Sequence, residues 1–327
     1  MKISIFPPQS IHEIGQRSNQ EDSIAQWDDR LFVLCDGMGG HEKGEVASQT
    51  VCRSLVKWFE EYIENDEFTD NQLRDAIEYA YTELDKYDDG SPKKMGTTLT
   101  LLYIHNKGVT AAHIGDSRIY HIRPNVGILY QSRDHSLVFD LFQAGEISYD
   151  EMATFPQKNI ITRAMQPGVD NRMRPDIIHI TNIQPGDYFY MCSDGMLEQM
   201  SNEELVDLLS SDVSDEEKQR QLIKKTADNQ DNHSAWLIHV KDVVRQEGDA
   251  LLVDEERTSR CNVVNIHPQL VDTFNDDVSI VKQAQPIDLV KPSSKQSTKV
   301  VPKLGIKTLI IIVALLALAL FIFLGVL

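Results

Sequence analysis

The sequence is short of cysteine, of positive charge and, over most of its length, of long apolar runs. Its four cysteines, Cys35, Cys52, Cys192 and Cys261, form no CxxC pair, so no disulfide framework is indicated. Cysteine inside an apolar run behaves as a small buried hydrophobe, which fits a reducing compartment. Lys and Arg number 32 against 50 Asp and Glu, a net charge of -18. That balance excludes nucleic acid as the main ligand, because a phosphate backbone demands a basic footprint. The N-terminus, MKISIFPPQSIHEIG, is interrupted by Pro7 and Pro8 and lacks the continuous apolar core of a secretory signal. Against these absences stand 41% hydrophobic and 25% charged residues over 327 positions. Such a composition rules out a wholly disordered or polytopic membrane chain. It leaves one large domain with an appendage, or two domains.

The one long apolar run is Leu309–Leu327, LIIIVALLALALFIFLGVL, which carries no charge. At about 1.5 Å per residue it spans roughly 28 Å as a helix, close to a hydrocarbon core of about 30 Å. It is expected to cross a membrane, although the mean hydropathy of -0.31 conceals it. Lys282, Lys291, Lys295, Lys299, Lys303 and Lys307 lie upstream with only Asp288 between them. Lysines flanking a span stay on the cytoplasmic side, and nothing after the span competes with them, so the body is expected to face the cytoplasm. The Pro-, Ser- and Lys-rich stretch before the span reads as a tether that touches anionic headgroups. Of the 32 basic and 50 acidic residues, six and one lie from Lys282 onward. The tail therefore carries +5, and the preceding chain, with 26 against 49, carries -23.

Residues 1 to about 240 alternate two patterns. Apolar, β-branched or aromatic runs at Leu31–Cys35, Thr97–Ile104, Val109–Ile114, Arg118–Ile122, Tyr188–Cys192 and Ala235–Val240 predict strands. Thr97–Ile122 reads as consecutive antiparallel strands. Val51, Leu55, Phe59 and Tyr62 mark one helix face between Glu42 and Glu64, and Leu73, Ile77, Ala80 and Leu84 another between Asp70 and Lys86. Shorter helices are expected at Ser136–Gln143, Asn202–Ser210 and Asp215–Ala227. A strand-rich core with helices packed outside fits this order better than a doubly wound parallel sheet.

Certain acids fall where acids are costly. LFVLCDG puts Asp36 at the end of an apolar strand, YFYMCSDG does the same with Asp194, Asp116 lies between two strands, and Asp231 precedes one. A carboxylate at the edge of an apolar core needs compensating charge or hydrogen bonds. Four of them suggest a shared hard cation such as Mg²⁺ or Mn²⁺, which takes oxygen ligands; the alternative is that each Asp initiates a turn. In DGMGGHEKGEVAS, Gly39 and Gly44 have P-loop spacing, but Glu45 stands where that motif needs Lys. The glycines are instead expected to let the backbone turn beside a metal and expose the Gly37 carbonyl. Arg17, five residues before Asp22, is either half of a surface pair or a guanidinium that holds two phosphate oxygens.

Taken in order, RSNQEDS, LFVLCDGMGGHEKGEVAS, MGTTLTLLYI, AAHIGDSRIYHIR, RDHSLV, GDYFYMCSDGMLE and DNHSAWLIHV resemble the metal-dependent protein phosphatases, the type 2C serine/threonine family in its bacterial form, over roughly residues 11–240. The resemblance implies an α+β fold, a four-layer sandwich of two antiparallel sheets flanked by helices, to which the C-terminal transmembrane helix is added. Together with the composition of the C-terminal part, it divides the chain into a phosphatase domain (1–245), an acidic then Lys/Pro/Ser-rich linker (246–307) and the span (308–327). It also implies two Mn²⁺ or Mg²⁺ ions in a cleft at one end of the sandwich. Asp36 would bridge them, Asp194 and Asp231 would complete one site, and the Gly37 carbonyl with Asp22 the other, partly through water. Glu21 would accept a hydrogen bond from a water there, Asp116 with Asp194 matches a third metal site, and Arg17 would bind the substrate phosphate. The implied chemistry is in-line attack on phosphorus by an activated water, without a covalent enzyme intermediate.

Three positions depart from the family pattern. Gln20 stands where Asn is usual, with Asn19 one residue earlier. Met38 follows the DG where many eukaryotic members have His, and His41, three residues on, is either a leaving-group acid or a loop residue. TADNQDN offers Asp228 as well as Asp231; the spacing to Ser234 favours Asp231. His113 and His121 read as structural, His135 of RDHS has no derivable role, and Gly145–Gly168 corresponds to a flap beside the bacterial active site. The expected partners are phosphorylated proteins, among them a membrane Ser/Thr kinase and its substrates. The competing readings are a catalytically weak phosphoprotein-binding adaptor of the same fold and a two-metal nucleotide enzyme. The missing P-loop Lys and basic groove weigh against the second.

Overall fold

The computed structural model describes residues 1–245 except 40–42, 65–66, 92–93, 153 and 158–159. His41, Cys261, the linker (246–307) and the expected span (308–327) lie outside the described residues. Among the described residues, no helix is long and apolar enough to cross a membrane.

Two antiparallel sheets stack face to face. One contains β1 (Lys2–Ile5), β2 (Gln9–Glu13), β8 (Arg118–Arg123), β9 (Gly127–Gln131), β11 (Tyr188–Cys192) and β12 (His233–Val244). The other contains β3 (Asp22–Trp27), β4 (Leu31–Met38), β5 (Gly96–Thr97), β6 (Leu99–His105), β7 (Gly108–Ile114) and β10 (Asp176–Ile180). Their orders are β1-β12-β11-β8-β9 with β2 on β12, and β10-β7-β6-β4-β3 with β5 on β4. Helices α1 (Lys43–Tyr62) and α2 (Asp70–Asp85) cover the second sheet; α5 (Asn202–Ser210) and α6 (Asp215–Thr226) cover the first. Short helices α3 (Leu137–Gln143) and α4 (Tyr149–Met152) lie in the excursion between β9 and β10.

Alternation along β4 shows why its sequence is apolar from Leu31 to Cys35. Leu31, Val33 and Cys35 pack under α1 and α2, while Phe32 and Leu34 meet Trp236 and Ile238 of the opposite sheet. A strand buried on both faces has no polar side to display. Trp236 also donates from Nε1 to the Val33 carbonyl at 3.1 Å, a direct tie between the sheets. A third apolar layer joins Tyr120, Tyr188 and Tyr190 to Leu205, Leu209 and Leu222 of the outer helices. Each such side chain fully buried contributes about 1.5–3 kcal/mol. Helix starts are fixed locally: Thr69 with Gln72, and Ser201 with Glu204, form reciprocal capping boxes.

The expectation of one run of antiparallel strands over Thr97–Ile122 is corrected in one respect. β6 pairs β7, but β8 pairs β9 and β11 in the other sheet. The chain changes sheets at Gly115–Ser117, where Gly115 has φ +109 and a Cβ would lie 2.6 Å from Thr98 Cγ2. Only glycine makes that crossing, and it carries Asp116 to the end of the sandwich. Strands β1, β2, β3, β9 and β10 are not visible as apolar runs; they are short and largely half-exposed.

Candidate active site

The acids singled out in the sequence converge. Asp22 and Asp36 are cross-strand partners on β3 and β4. Asp194 opens a single 3₁₀ turn after β11, Asp231 stands just before β12, and Asp116 sits on the crossing turn. Both sheets thus contribute to one polar cluster at one end of their stack. Asp36 is fixed on its two backbone sides: its N–H donates to Thr98 Oγ1 at 2.9 Å, and its carbonyl accepts from Thr98 N at 2.8 Å and Thr97 Oγ1 at 2.9 Å.

Electrostatically the cluster is frustrated. Burial pushes the Asp22 carboxyl up to about 7, with Asp194 and Asp231 adding to the effect, although Ser193 Oγ donates to its Oδ2 at 2.7 Å. Burial and the charges of Asp22, Asp194, Asp116 and Asp231 push Asp36 well above the carboxylate range. Burial, then Asp194, pushes Asp116 to about 8, and burial, then Asp231, raises Asp194. Asp22 Oδ1 and Asp116 Oδ1 are buried without any hydrogen-bond partner. Like charges, burial and orphaned oxygens are relieved together by hard divalent cations, and the donor set is all oxygen, as Mg²⁺ and Mn²⁺ require.

The surrounding loops are pinned by residues that the sequence did not single out. Asn232 Nδ2 donates to the carbonyls of Ile14 at 2.9 Å and Asn19 at 3.0 Å, while its Oδ1 accepts from Glu21 N at 2.8 Å. One amide therefore ties the RSNQED loop to the DN loop; its only sequence signal is its place after Asp231. Ser193 bridges Asp22 and the Ser234 N–H, at 2.7 and 3.0 Å. Gln20, the departure from the usual Asn, accepts from Asp22 N through Oε1 at 3.1 Å and donates to the Glu13 carbonyl at 2.9 Å. Asn19 donates to Glu21 Oε1 at 3.1 Å. Gly37 donates to the Glu21 carbonyl at 3.1 Å, and a Cβ on it would lie 2.1 Å from Gly44 O. This close approach, rather than phosphate binding, explains the glycines after Asp36. Arg17 Nη2 meets Asp231 Oδ2 at 2.6 Å with its side chain 57% exposed. Asp231, not Asp228, is the acid that faces Arg17 and Asp194.

Among the described residues, His113, His135 and Asp176 also bring potential ligand atoms within 4.8 Å of one another. Their ring nitrogens are committed: His113 Nε2 donates to the Arg133 carbonyl at 2.7 Å, and His135 Nδ1 accepts from Gly115 N at 3.0 Å. Arg163 adds positive charge on Asp176 at 3.1 Å. The two imidazoles are stacked, and His135 hydrogen-bonds to Asp176. His121, expected to be structural, donates from Nε2 to Asp187 Oδ2 at 2.8 Å and stacks on Phe189.

The sequence pattern of the family described as Protein phosphatase 2C matches residues 11–239. A putative protein phosphatase 2C-type from Streptococcus pyogenes is 38% identical over 234 residues, 68% of this chain and 90% of that protein. The solved structure of the serine/threonine phosphatase Stp1 from Staphylococcus aureus superposes with a TM-score of 0.64 at 32% identity, covering 74% of this chain and 98% of that one. The catalytic domain of the serine threonine protein phosphatase PstP, solved with 2 manganese ions, gives a TM-score of 0.61 at 28% identity over 73% of this chain and 99% of that one.

Proposed function

The chain belongs to the protein phosphatase 2C family, and from that premise we propose its reaction, its cofactor set and its place in the cell. It is a metal-dependent protein-serine/threonine phosphatase that uses Mn²⁺ or Mg²⁺. The observation that carries this reading is the set of buried, mutually repelling carboxylates at the common end of two sheets, two of whose oxygens have no partner.

Asp36, Asp194 and Asp231 would hold one ion, and Asp36, the Gly37 carbonyl and Asp22 the other, with waters completing both. Asp116 with Asp194 would take a third. When bound, such a pair supplies positive charge against phosphoryl oxygens and a water that is nucleophilic near neutral pH. Arg17 recognises the phosphate: its guanidinium is more than half exposed and commits Nη2 to Asp231, leaving donors for two phosphate oxygens. Asp231 keeps that guanidinium at the rim of the cluster, so the phosphate is drawn to the place where the acids converge. Glu21, fixed through Asn19 and Asn232, orients water on the Gly37 side.

The body is tethered to the membrane by residues 308–327 and faces the cytoplasm, with residues 246–307 as linker. The support is the uncharged nineteen-residue run and the lysines before it. Substrates would then be phosphoproteins at or near the membrane, including a Ser/Thr kinase held there. The test uses the full chain in detergent, with Mn²⁺ and a phosphothreonine peptide. Absence of phosphate release from folded protein would sink the enzymatic reading, and peptide binding without metal uptake in calorimetry would establish the adaptor. Release of the chain from membranes by alkaline carbonate would refute the anchor.

A further inference from the structure

We propose that His135 is a positioning residue for Asp116, holding the crossing turn through its Nδ1 while Asp176 fixes its ring from the other side. The inference rests on the reading of Asp116 as a metal ligand.

The turn Gly115–Ser117 has no strand partner of its own where the chain leaves β7, so its shape must come from elsewhere. His135 supplies it at two points: its backbone N–H donates to the Gly115 carbonyl at 3.0 Å, and its Nδ1 accepts from the Gly115 N–H at 3.0 Å. Its own carbonyl accepts from Thr162 N at 2.8 Å, which anchors His135 itself. A ring nitrogen that accepts from an amide cannot carry the proton, so the proton lies on Nε2. Nε2 then donates to Asp176 Oδ2 at 3.1 Å, and Arg163 Nη1 donates to Oδ1 of the same carboxylate at 3.1 Å. The 3.3 Å approach of Arg163 Nη1 to His135 Nε2 is that of two donors side by side on the two oxygens of one carboxylate. The ring is 2% exposed and stacked on His113 at 4.7 Å, with 14° between planes, so packing as well as hydrogen bonding holds its orientation.

The far side of the turn is tied to the centre of the cluster. Ser117 Oγ and Thr98 Oγ1 lie 2.8 Å apart, and Thr98 Oγ1 accepts from the Asp36 N–H. Asp116 is thus suspended between Asp36 on one flank and His135 on the other. Its Oδ1 is buried and unpartnered, so no hydrogen bond at that oxygen aims the carboxylate. Partners that orient ligands in this way typically govern about 10–100-fold in metal affinity.

Two isosteric replacements separate the halves of the imidazole. In His135→Asn the amide oxygen occupies the Nδ1 position and keeps the Gly115 bond; in His135→Gln the amide nitrogen reaches the Nε2 position and keeps only the Asp176 bond. Mn²⁺ alone is titrated into the full chain in detergent, followed by electron paramagnetic resonance and calorimetry. The expected result is that His135→Gln weakens the weakest-binding Mn²⁺ about tenfold and leaves the tighter ions within about twofold. His135→Asn should stay within about threefold throughout. Wild-type affinity in His135→Gln, or equal loss at every Mn²⁺ in both variants, would overturn the proposal. Nitrogen-15 shifts of His135 give a metal-free readout: an unprotonated Nδ1 is expected, and a proton on Nδ1 would overturn the assignment whatever the metal does. A wild-type chain that binds Mn²⁺ and releases phosphate while the variants match it separates failure of this inference from failure of the phosphatase reading.

Discussion

Replacing Asp22 with Asn should stabilise the metal-free protein and weaken its response to metal. Asp22 is 2% exposed, accepts one hydrogen bond from Ser193, and leaves Oδ1 unpartnered among other acids. Its carboxyl is pushed from 3.8 to about 7, with burial as the first cause. The folded state therefore holds a proton that the unfolded chain has released, and stability falls as pH rises from about 3.8 to about 7. At about 1.36 kcal/mol per unit the full cost near neutrality is about 4 kcal/mol, and relaxation around the charge brings it to roughly 2–4. The amide introduced by Asp22→Asn can still accept from Ser193 and carries no charge. At roughly 2–4 °C per kcal/mol for a domain of this size, the melting temperature in EDTA at pH 7.5 should rise by roughly 5–15 °C. At pH 4 the gain should vanish, because the wild-type carboxyl is then protonated too. Saturating Mn²⁺ should raise the wild-type midpoint far more than the variant's. Calorimetric scans in EDTA and in Mn²⁺ at both pH values suffice; a variant no more stable than wild type in EDTA at pH 7.5 would refute the argument.

The same linkage applies to Asp116, at about 8, so the metal-free wild type should melt higher at pH 5 than at pH 8, and Mn²⁺ should reverse that order. Asp36→Asn should reduce phosphate release from a phosphothreonine peptide to background while the fold survives in circular dichroism. Asn232→Ala removes three hydrogen bonds that join the RSNQED and DN loops, a loss of roughly 2–4 kcal/mol that denaturant titration would reveal. Arg17→Met should lower kcat/KM for the peptide roughly 10²-fold, as removal of one anion-stabilising donor does; an unchanged value would remove Arg17 from phosphate recognition.

Legibility in the sequence follows burial. The stripe Val51, Leu55, Phe59 locates α1 and the stripe Leu73, Ile77, Ala80, Leu84 locates α2, because both helices bury one face against a sheet. β4 and β11 are visible because both of their faces are covered, and the abrupt Asp-Gly at each end marks the cluster. β3 is not visible, because its two buried leading residues, Asp22 and Ser23, are polar and the rest are partly buried or exposed. Nothing local shows that β8 leaves the sheet of β7; that follows from pairing with β11, some 70 positions further on. Asn232, Ser193 and His135 are illegible as functional residues for a related reason. Their partners lie 20 to 218 positions away, and a hydrogen bond at that separation leaves no period in the sequence.

β12 is an interior strand, flanked by β1, β2 and β11, and it is the last strand described along the chain. Asp231 and Asn232 immediately precede it, and their partners Arg17 and Glu21 are made 214 and 211 positions earlier. During synthesis at roughly 5–20 residues per second, about ten to forty seconds separate Arg17 from Asp231. Until β12 leaves the ribosome, the first sheet has a gap at its centre and the acids have no closed cluster. A nascent chain, or one cut before β12, would therefore lack the strand that joins β1 and β2 to β11, and its candidate site would close only with that strand.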